Sequence, residues 1–271
     1  CLAPGRSMGN CKVIMVTSCK GGVGKSTVSA NLGIRLALDG WRTLIIDCDF
    51  GVRSLDLIIG LEDEVVFDIT DIILHGISPE KALIRDSRSE NLFFCSAPYS
   101  YNNELEPEPF RTAVRDIGEK MNLDYIIIDT PGDTGSPFRL AASAADTALV
   151  VSTYQPASIR AAERTGILLN ELGVQSKYLI INCFSADGIE FGIRPSILEV
   201  IDKTCLQLIG IIPYDAALGE QQAKGEDVFT LRRSNAASAF VNISKRLTGK
   251  SIPLFTGVRK IRRNALLRRI Q

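Results

Sequence analysis

The chain has 271 residues, of which 45% are hydrophobic and 23% charged, a balance typical of one large soluble domain. It contains no run of about 18 apolar residues, which argues against a membrane-spanning helix. The N-terminal CLAPGRS lacks the apolar segment of a secretory signal, and we expect residues 1–10 to be an extension, with Met8 as a candidate start. Seven scattered cysteines without a CxxC pair indicate reduced thiols of a cytoplasmic protein.

The net charge of zero conceals an uneven distribution along the chain. Nine of the 31 Lys and Arg residues lie in residues 245–271, which contain none of the 31 Asp and Glu residues. The preceding part therefore holds 22 basic and 31 acidic side chains, a balance of −9. An acidic body with a basic tail predicts that the tail meets an anionic surface.

Apolar, β-branched runs recur along the chain with helical segments between them. The predicted strands are Val13–Val16, Thr43–Asp47, Leu92–Cys95, Tyr125–Asp129, Ala148–Ser152, Tyr178–Asn182 and Leu208–Ile212. The predicted helices are residues 25–38, 108–121, 137–144, 157–171, 195–203 and 235–247. Because the strand runs are continuously apolar, they predict parallel strands that are covered on both faces. The alternation predicts a doubly wound, mostly parallel α/β sheet over residues 11–250. Residues 99–109 read as a polar surface loop.

The segment KGGVGKST, residues 20–27, has the form of a phosphate-binding loop. It follows the first predicted strand and opens the first predicted helix, which is the context that such a loop needs. Its glycines let the backbone curl and point N–H groups inward, beside the positive end of the helix dipole. The Lys25 ammonium can reach the β- and γ-phosphates, and the Ser26 hydroxyl can bind Mg²⁺. A glycine-rich turn with a solvated lysine is the alternative, and it accounts poorly for this context.

Aspartates stand at the ends of two predicted strands. Asp47 and Asp49 close the second strand in IIDCDFG, and Asp129 ends the YIIID run before Thr-Pro-Gly. Mg²⁺ prefers oxygen ligands and keeps several waters, which carboxylates beside the loop can hold. A further carboxylate can orient or deprotonate the attacking water. Aspartates also cap helices and start turns, but together with the phosphate loop they favour a nucleotide and magnesium site.

Two departures from the usual phosphate loop point to one family. Cys19 stands at the first glycine position, and Lys20 adds a second lysine before the glycines. This pattern resembles the deviant Walker A loop of the MinD/ParA family of SIMIBI-type P-loop ATPases. The stretches IDCDFGVRSLDLIIGLEDEVVFDI and ALIRDSRSENLFFCSAP are similar to the MinD branch of that family. The similarity runs from about residue 11 to residue 247 and is closer to MinD than to plasmid partition ATPases.

The resemblance implies a role for each matching residue on the phosphate side of the site. Lys20 would reach across a dimer interface to the ATP of the other subunit, and it would act in catalysis with Lys25 and Asp49. Asp49 would position the attacking water, while Ser26, Asp47 and Asp129 would serve the metal shell. The residues that would hold the ATP or ADP phosphates are Lys20, Gly21, Gly22, Val23, Gly24, Lys25, Ser26 and Thr27.

The resemblance also implies a base side, formed by Asn182, Pro213 and Asp215. Asn182 ends the YLIIN run and would read the edge of the adenine. Pro213 and Asp215 match the I-P-x-D turn that lies beside the base in this family. Ordinary turn chemistry is an equally open account of a strand-terminal Asn or Asp.

The implied activity is that of a Mg-ATP-dependent dimeric ATPase switch that helps to position the division septum. Turnover would be slow until a partner stimulates it, and division-site regulators and activators would be its partners. The protein would be cytoplasmic and peripheral on the inner face of the membrane. Two alternatives stay open: a partition ATPase that binds nonspecific DNA, and a relative that governs flagellar number or another polar assembly.

The tail, residues 251–271, mixes bulky apolar and basic residues, the composition of an interfacial anchor. Family members end in a short amphipathic helix that binds the membrane, so we expect residues 252–271 to contact an anionic membrane surface. The helical projection is less regular, because Arg262 and Arg269 fall inside the apolar half-circle. A solvated tail or a last helix packed on the body is the alternative.

Overall fold

The computed structural model describes residues 11–101, 104–185, 195–231 and 233–254. The strands in these residues are β1 Lys12–Thr17, β2 Thr43–Asp47, β3 Ile84–Arg85, β4 Leu92–Cys95, β5 Tyr125–Asp129, β6 Thr147–Ser152, β7 Ser176–Phe184 and β8 Gln207–Pro213. The helices are α1 Lys25–Leu38, α2 Leu55–Ile59, α3 Ile69–His75, α4 Pro79–Ala82, α5 Pro107–Lys120, α6 Ser136–Ala144, α7 Pro156–Glu171, α8 Ile197–Thr204, α9 Ala216–Gln222 and α10 Asn235–Leu247.

The strands form one sheet in the order β3-β4-β2-β5-β1-β6-β7-β8. All neighbours are parallel except the short edge strand β3, which pairs antiparallel with β4. Helices α1 and α10 pack on one face of the sheet, and α5, α6, α7 and α8 pack on the other. Both faces of the central strands are therefore buried, and the predicted doubly wound, mostly parallel fold is confirmed.

Five short elements were not predicted, namely β3, α2, α3, α4 and α9. None is longer than seven residues, so none carries enough periodicity to stand out in the sequence. The helix predicted over residues 195–203 begins at Ile197, because the Ser196 hydroxyl accepts from the Glu199 N–H in a capping box.

The prediction of a surface loop over residues 99–109 is wrong at its C-terminal end. Pro107 already starts α5, where its fixed φ and missing N–H suit the first helical turn. Leu105 is buried rather than exposed. No helix within the described residues is long and apolar enough to cross a membrane.

The strand register places the functional segments at one edge of the sheet. Asp47 at the end of β2 pairs with Asp129 at the end of β5, and Val16 of β1 pairs with the same Asp129. The loops that follow β1, β2 and β5 therefore leave the sheet side by side. This is the edge where a doubly wound sheet binds its ligands.

Candidate functional site

The loop between β1 and α1 forms a cradle of backbone N–H groups. Gly22 and Gly24 adopt left-handed backbone, with φ of 72° and 90°, which only glycine enters without strain. Gly24 is also the N-cap of α1, and no side chain in the described part of the chain caps that helix end. The first N–H groups of α1 thus remain available to an anion, in the field of the helix dipole.

Lys25, the first residue of α1, brings a nearly buried cation to this cradle. Burial raises the pKa of Asp49, and the Lys25 ammonium opposes that rise while Asp133 adds to it. Burial also raises the pKa of Asp129, and the Lys25 charge again opposes the rise. Lys25 is therefore close enough to act on both carboxylates, and it favours their ionised forms.

Asp129 has one carboxylate oxygen bonded and one unpaired. Its Oδ1 atom accepts a hydrogen bond from Ser29 Oγ at 2.7 Å. Its Oδ2 atom is buried and has no hydrogen-bond partner among the described residues. Burial raises the pKa of Asp129 to about 6, and the nearby Ser26 and Ser29 hydroxyls and Lys25 oppose that rise. An unpaired buried carboxylate oxygen beside the Ser26 hydroxyl is a donor set that fits a hydrated divalent cation.

Asp47 shapes the loop that carries Asp49. Its Oδ1 atom accepts from the Asp49 N–H at 2.8 Å, and its Oδ2 atom accepts from the Leu55 N–H at 3.3 Å. Burial, and next the charge of Asp129, raise the pKa of Asp47 well above its usual value. Both oxygens of Asp47 thus serve the backbone, and its part in a metal shell stays a prediction.

The loop after β5 packs directly on the phosphate loop. A Cβ atom on Gly132 would lie 2.9 Å from Gly21 Cα and 3.3 Å from the carbonyl carbon of Lys20, so only glycine fits there. Lys20 itself is half-buried at the rim of this contact. Its reach into a second subunit stays a prediction.

On the base side, the side chain of Asn182 is already hydrogen-bonded within the protein. Asn182 Nδ2 donates to the Val23 carbonyl at 2.9 Å, and a Cβ atom on Gly24 would lie 2.3 Å from that nitrogen. Pro213 ends β8 opposite Phe184. The adenine role of all three base-side residues stays a prediction.

Asp215 joins two helix starts rather than pointing into an open cleft. Its Oδ1 atom accepts from the Ala217 N–H at 3.2 Å and so caps α9. Its Oδ2 atom accepts from Ser234 Oγ at 2.7 Å and from the Ala236 N–H at 3.3 Å, at the start of α10.

Three residues near the site were missed by the sequence reasoning. Ser29 lies four residues after Lys25, one helical turn on, and this spacing could have placed it beside the loop. Asp133 follows Thr-Pro-Gly, and its charge adds to the rise in the pKa of Asp49 that burial causes. Arg53 has left-handed backbone with φ of 50°, pairs with Asp56 at 2.7 Å and stacks over Tyr99 at 3.7 Å. The sequence carries no signal for that last arrangement.

Comparison with known proteins places this site in a family. The family described as "ParA: NUBPL iron-transfer P-loop NTPase" matches residues 10–248. The septum site-determining protein MinD of Synechocystis is 35% identical over 262 residues, covering 96% of this chain and 97% of its own. MinD of Helicobacter pylori is 36% identical, covering 89% and 91%, and MinD of Bacillus subtilis is 33% identical, covering 90% and 91%.

Solved structures agree with that placement. The MinC:MinD cell division complex of Aquifex aeolicus matches with a TM-score of 0.83 and 35% identity, covering 90% of this chain and 98% of that one. A putative plasmid partition protein of Borrelia burgdorferi matches with a TM-score of 0.73 at 21% identity, which shows a shared fold alone. The chain therefore belongs to the ParA-type P-loop ATPases and, within them, to the MinD septum site-determining proteins.

Proposed function

We propose that this chain is a Mg-ATP-dependent dimeric switch that helps to place the division septum and cycles on and off the inner face of the membrane. One observation carries the proposal: the glycine loop with its buried Lys25 is accompanied by a buried carboxylate, Asp129, whose Oδ2 atom has no hydrogen-bond partner among the residues that the structure describes. Relatives that share 33–36% of its residues are named septum site-determining proteins.

The phosphate side supplies the parts that hydrolysis needs. The N–H groups of the cradle and Lys25 would hold the phosphates, and Ser26 with Asp129 would hold Mg²⁺ directly or through water. The ion would neutralise charge on the phosphate oxygens, which is the main demand of phosphoryl transfer. Asp49 would orient the attacking water, and Asp47 holds the Asp49 N–H at 2.8 Å to fix that loop.

Lys20 would complete the site of a second copy of the chain. Its half-buried position at the rim of the phosphate loop supports that role, because part of the side chain stays accessible to a second copy. A cation supplied in trans can contribute about 10³–10⁵ in rate, as arginine fingers do. Turnover of a single copy would therefore be slow, and a partner that promotes the paired state would raise it.

The tail would connect the nucleotide state to the membrane. Arg246 donates to the Ile252 carbonyl at 2.9 Å and to the Pro253 carbonyl at 2.6 Å, which ties the start of the tail to α10. The rest of the tail, residues 255–271, lies outside the described residues, and its order stays a prediction. Each basic residue near an anionic surface contributes about 1 kcal/mol at most, so one tail would bind weakly.

Pairing of two copies would change that balance. Two tails on one dimer act at high effective concentration, which can raise avidity by about 10² or more. ATP-driven pairing would then control membrane residence, and hydrolysis would release the protein. A division regulator of the MinC type is the proposed partner, because a MinD relative of 35% identity was solved in complex with MinC.

Liposome sedimentation tests this proposal. We expect the full chain to pellet with anionic vesicles in ATP and to stay in the supernatant in ADP or with neutral vesicles. Deleting residues 255–271 spares both Arg246 contacts and should abolish pelleting while ATP binding persists. A full-length variant tests the basic charge separately from the length of the tail. Changing the six Lys and Arg residues of 255–271 to Gln should remove most of the pelleting.

Unchanged pelleting of the deletion variant would place the membrane contact elsewhere. A gel shift on random duplex DNA at two salt concentrations, run beside this assay, addresses the alternative. DNA binding that requires the tail and weakens steeply with salt would favour the partition-type activity instead. The −9 balance of residues 1–244 disfavours that outcome.

A further inference from the structure

We infer that Tyr101 is a positioning residue for hydrolysis, because it joins the loop that carries Asp49 to the loop that follows β5. The inference rests on the proposed function, in which Asp49 orients the attacking water. Tyr101 belongs to neither loop. It lies in the segment after β4, and it contacts both loops with different parts of its side chain.

The ring of Tyr101 meets the loop after β2. Phe50, the residue that follows Asp49, packs edge-on against it with ring centroids 4.6 Å apart. The next residue, Gly51, donates its N–H to the Pro98 carbonyl at 3.1 Å. An aromatic pair and a backbone hydrogen bond thus hold the Asp49 loop against the segment after β4.

The hydroxyl of Tyr101 meets the start of α6, where the loop after β5 ends. It lies 3.3 Å from Ser136 Oγ, at the first residue of α6. Asp133, three residues earlier in the same loop, raises the pKa of Asp49 and so lies within its electrostatic range. The Tyr101 hydroxyl also accepts from the Leu105 N–H at 3.1 Å, which fixes its direction.

These contacts link the Asp49 loop to both neighbouring segments. Asp47 holds the loop through the Asp49 N–H, Tyr101 holds it through Phe50, and Tyr101 in turn contacts Ser136. The loop after β5 follows a strand that pairs with β1, and the loop after β2 follows the next strand on the other side of β5. A shift of either loop when the terminal phosphate is bound or lost would pass to the other through this one side chain.

The test separates the ring from the hydroxyl. Tyr101→Phe keeps the contact with Phe50 and removes the hydroxyl with its bonds to Ser136 and to Leu105, of which only the bond to Ser136 reaches the other side of the site. We expect kcat for ATP hydrolysis to fall about three- to tenfold, the range for one lost hydrogen bond, while the KM for ATP stays within twofold. Ser136→Ala should lower kcat similarly, and the double variant should lose no more than either single variant. Tyr99→Phe, which removes an exposed hydroxyl two residues away, is the matched control.

Two results would overturn the inference. One is a Tyr101→Phe enzyme whose kcat lies within twofold of the parent chain. The other is a double variant whose loss equals the product of the two single losses, since independent residues multiply. A purely structural role would lower the melting temperature and leave the coupling between the two sites on kcat at zero. If the parent chain itself hydrolyses no ATP, the proposed function fails and not this inference alone.

Discussion

The phosphate side and the base side of the site differ in how their polar atoms are satisfied. On the phosphate side, Thr17 Oγ1, Ser18 Oγ and Asp129 Oδ2 are buried without a hydrogen-bond partner among the described residues. On the base side, Asn182 donates to the phosphate loop and Asp215 accepts from three groups of α9 and α10. Of these two groups, only the first keeps unpaired atoms that a ligand could complete. Two further side-chain atoms, Gln221 Oε1 and Gln222 Nε2 of α9, are also buried without a partner among the described residues.

The difference separates two kinds of residue that look alike in a sequence. A buried polar atom without a partner costs about 1–3 kcal/mol, and native structures keep few of them without a reason. When a strand-terminal Asp caps a helix, its hydrogen bonds within the protein offset the free-energy cost of burying it. Unpaired atoms therefore point to ligand contacts, and paired ones point first to the architecture that supports them.

The largest expected effect tests whether the phosphate side is complete within one chain. Lys20→Ala should keep nucleotide binding within about fivefold but lose ATP-dependent pairing, with hydrolysis down by about 10³ or more. The reason is that the removed cation serves the other copy. Analytical ultracentrifugation with ATP and a phosphate-release assay measure the two effects.

Lys203→Ala, which removes an exposed lysine on α8, serves as the control for Lys20→Ala. It should leave both pairing and hydrolysis unchanged. An intact ATP-dependent dimer in the Lys20→Ala variant would contradict the role in trans.

A second prediction uses the unpaired oxygen of Asp129. Asp129→Asn should abolish Mg²⁺-dependent hydrolysis, a loss of at least about 10², because a neutral amide binds the cation poorly. The same change should stabilise the nucleotide-free protein by about 1–3 kcal/mol at pH 8, where the parent chain carries a buried charge.

The pH dependence of that stabilisation follows from the raised pKa of about 6. Between about pH 4 and pH 6 the folded chain binds more protons at Asp129 than the unfolded chain, so its stability falls as the pH rises. The melting temperatures of variant and parent should therefore differ more at pH 8 than at pH 5. An equal difference at both values would show that the pKa of Asp129 in the folded apo protein is not raised above about 5, so that the carboxylate is ionised at both pH values.

The smallest effect is expected on the base side. Asp215→Ala removes three hydrogen bonds, one of which caps α9, and we expect a loss of about 1–3 kcal/mol in the free energy of unfolding. Urea unfolding measures that loss, and ATP titration of the folded variant should give a Kd within about fivefold of the parent value. A Kd more than tenfold weaker would show that Asp215 contributes to nucleotide binding. That result would contradict the difference between the two sides.

More of the phosphate side than of the base side could be predicted from the sequence. The loop at residues 20–27 is continuous in the chain, so its spacing alone predicts its shape and its chemistry. Asp47 and Asp129 end strands, and parallel register brings strand ends together without further information. By contrast, the partners of Asp215 lie up to 21 residues away, and no local pattern indicates them.

What the sequence by itself determined is the layered fold and the phosphate cradle, because both depend on local periodicity and on glycines within a few residues. What only the tertiary structure decided is which polar atoms are already satisfied. Both oxygens of Asp47 accept from backbone N–H groups, and one oxygen of Asp129 has no partner within the described residues. Tyr101 contacts both Phe50 and Ser136. The partners of a polar atom often lie in segments that are distant in the chain. Which polar atoms are paired is therefore decided only when those segments pack together.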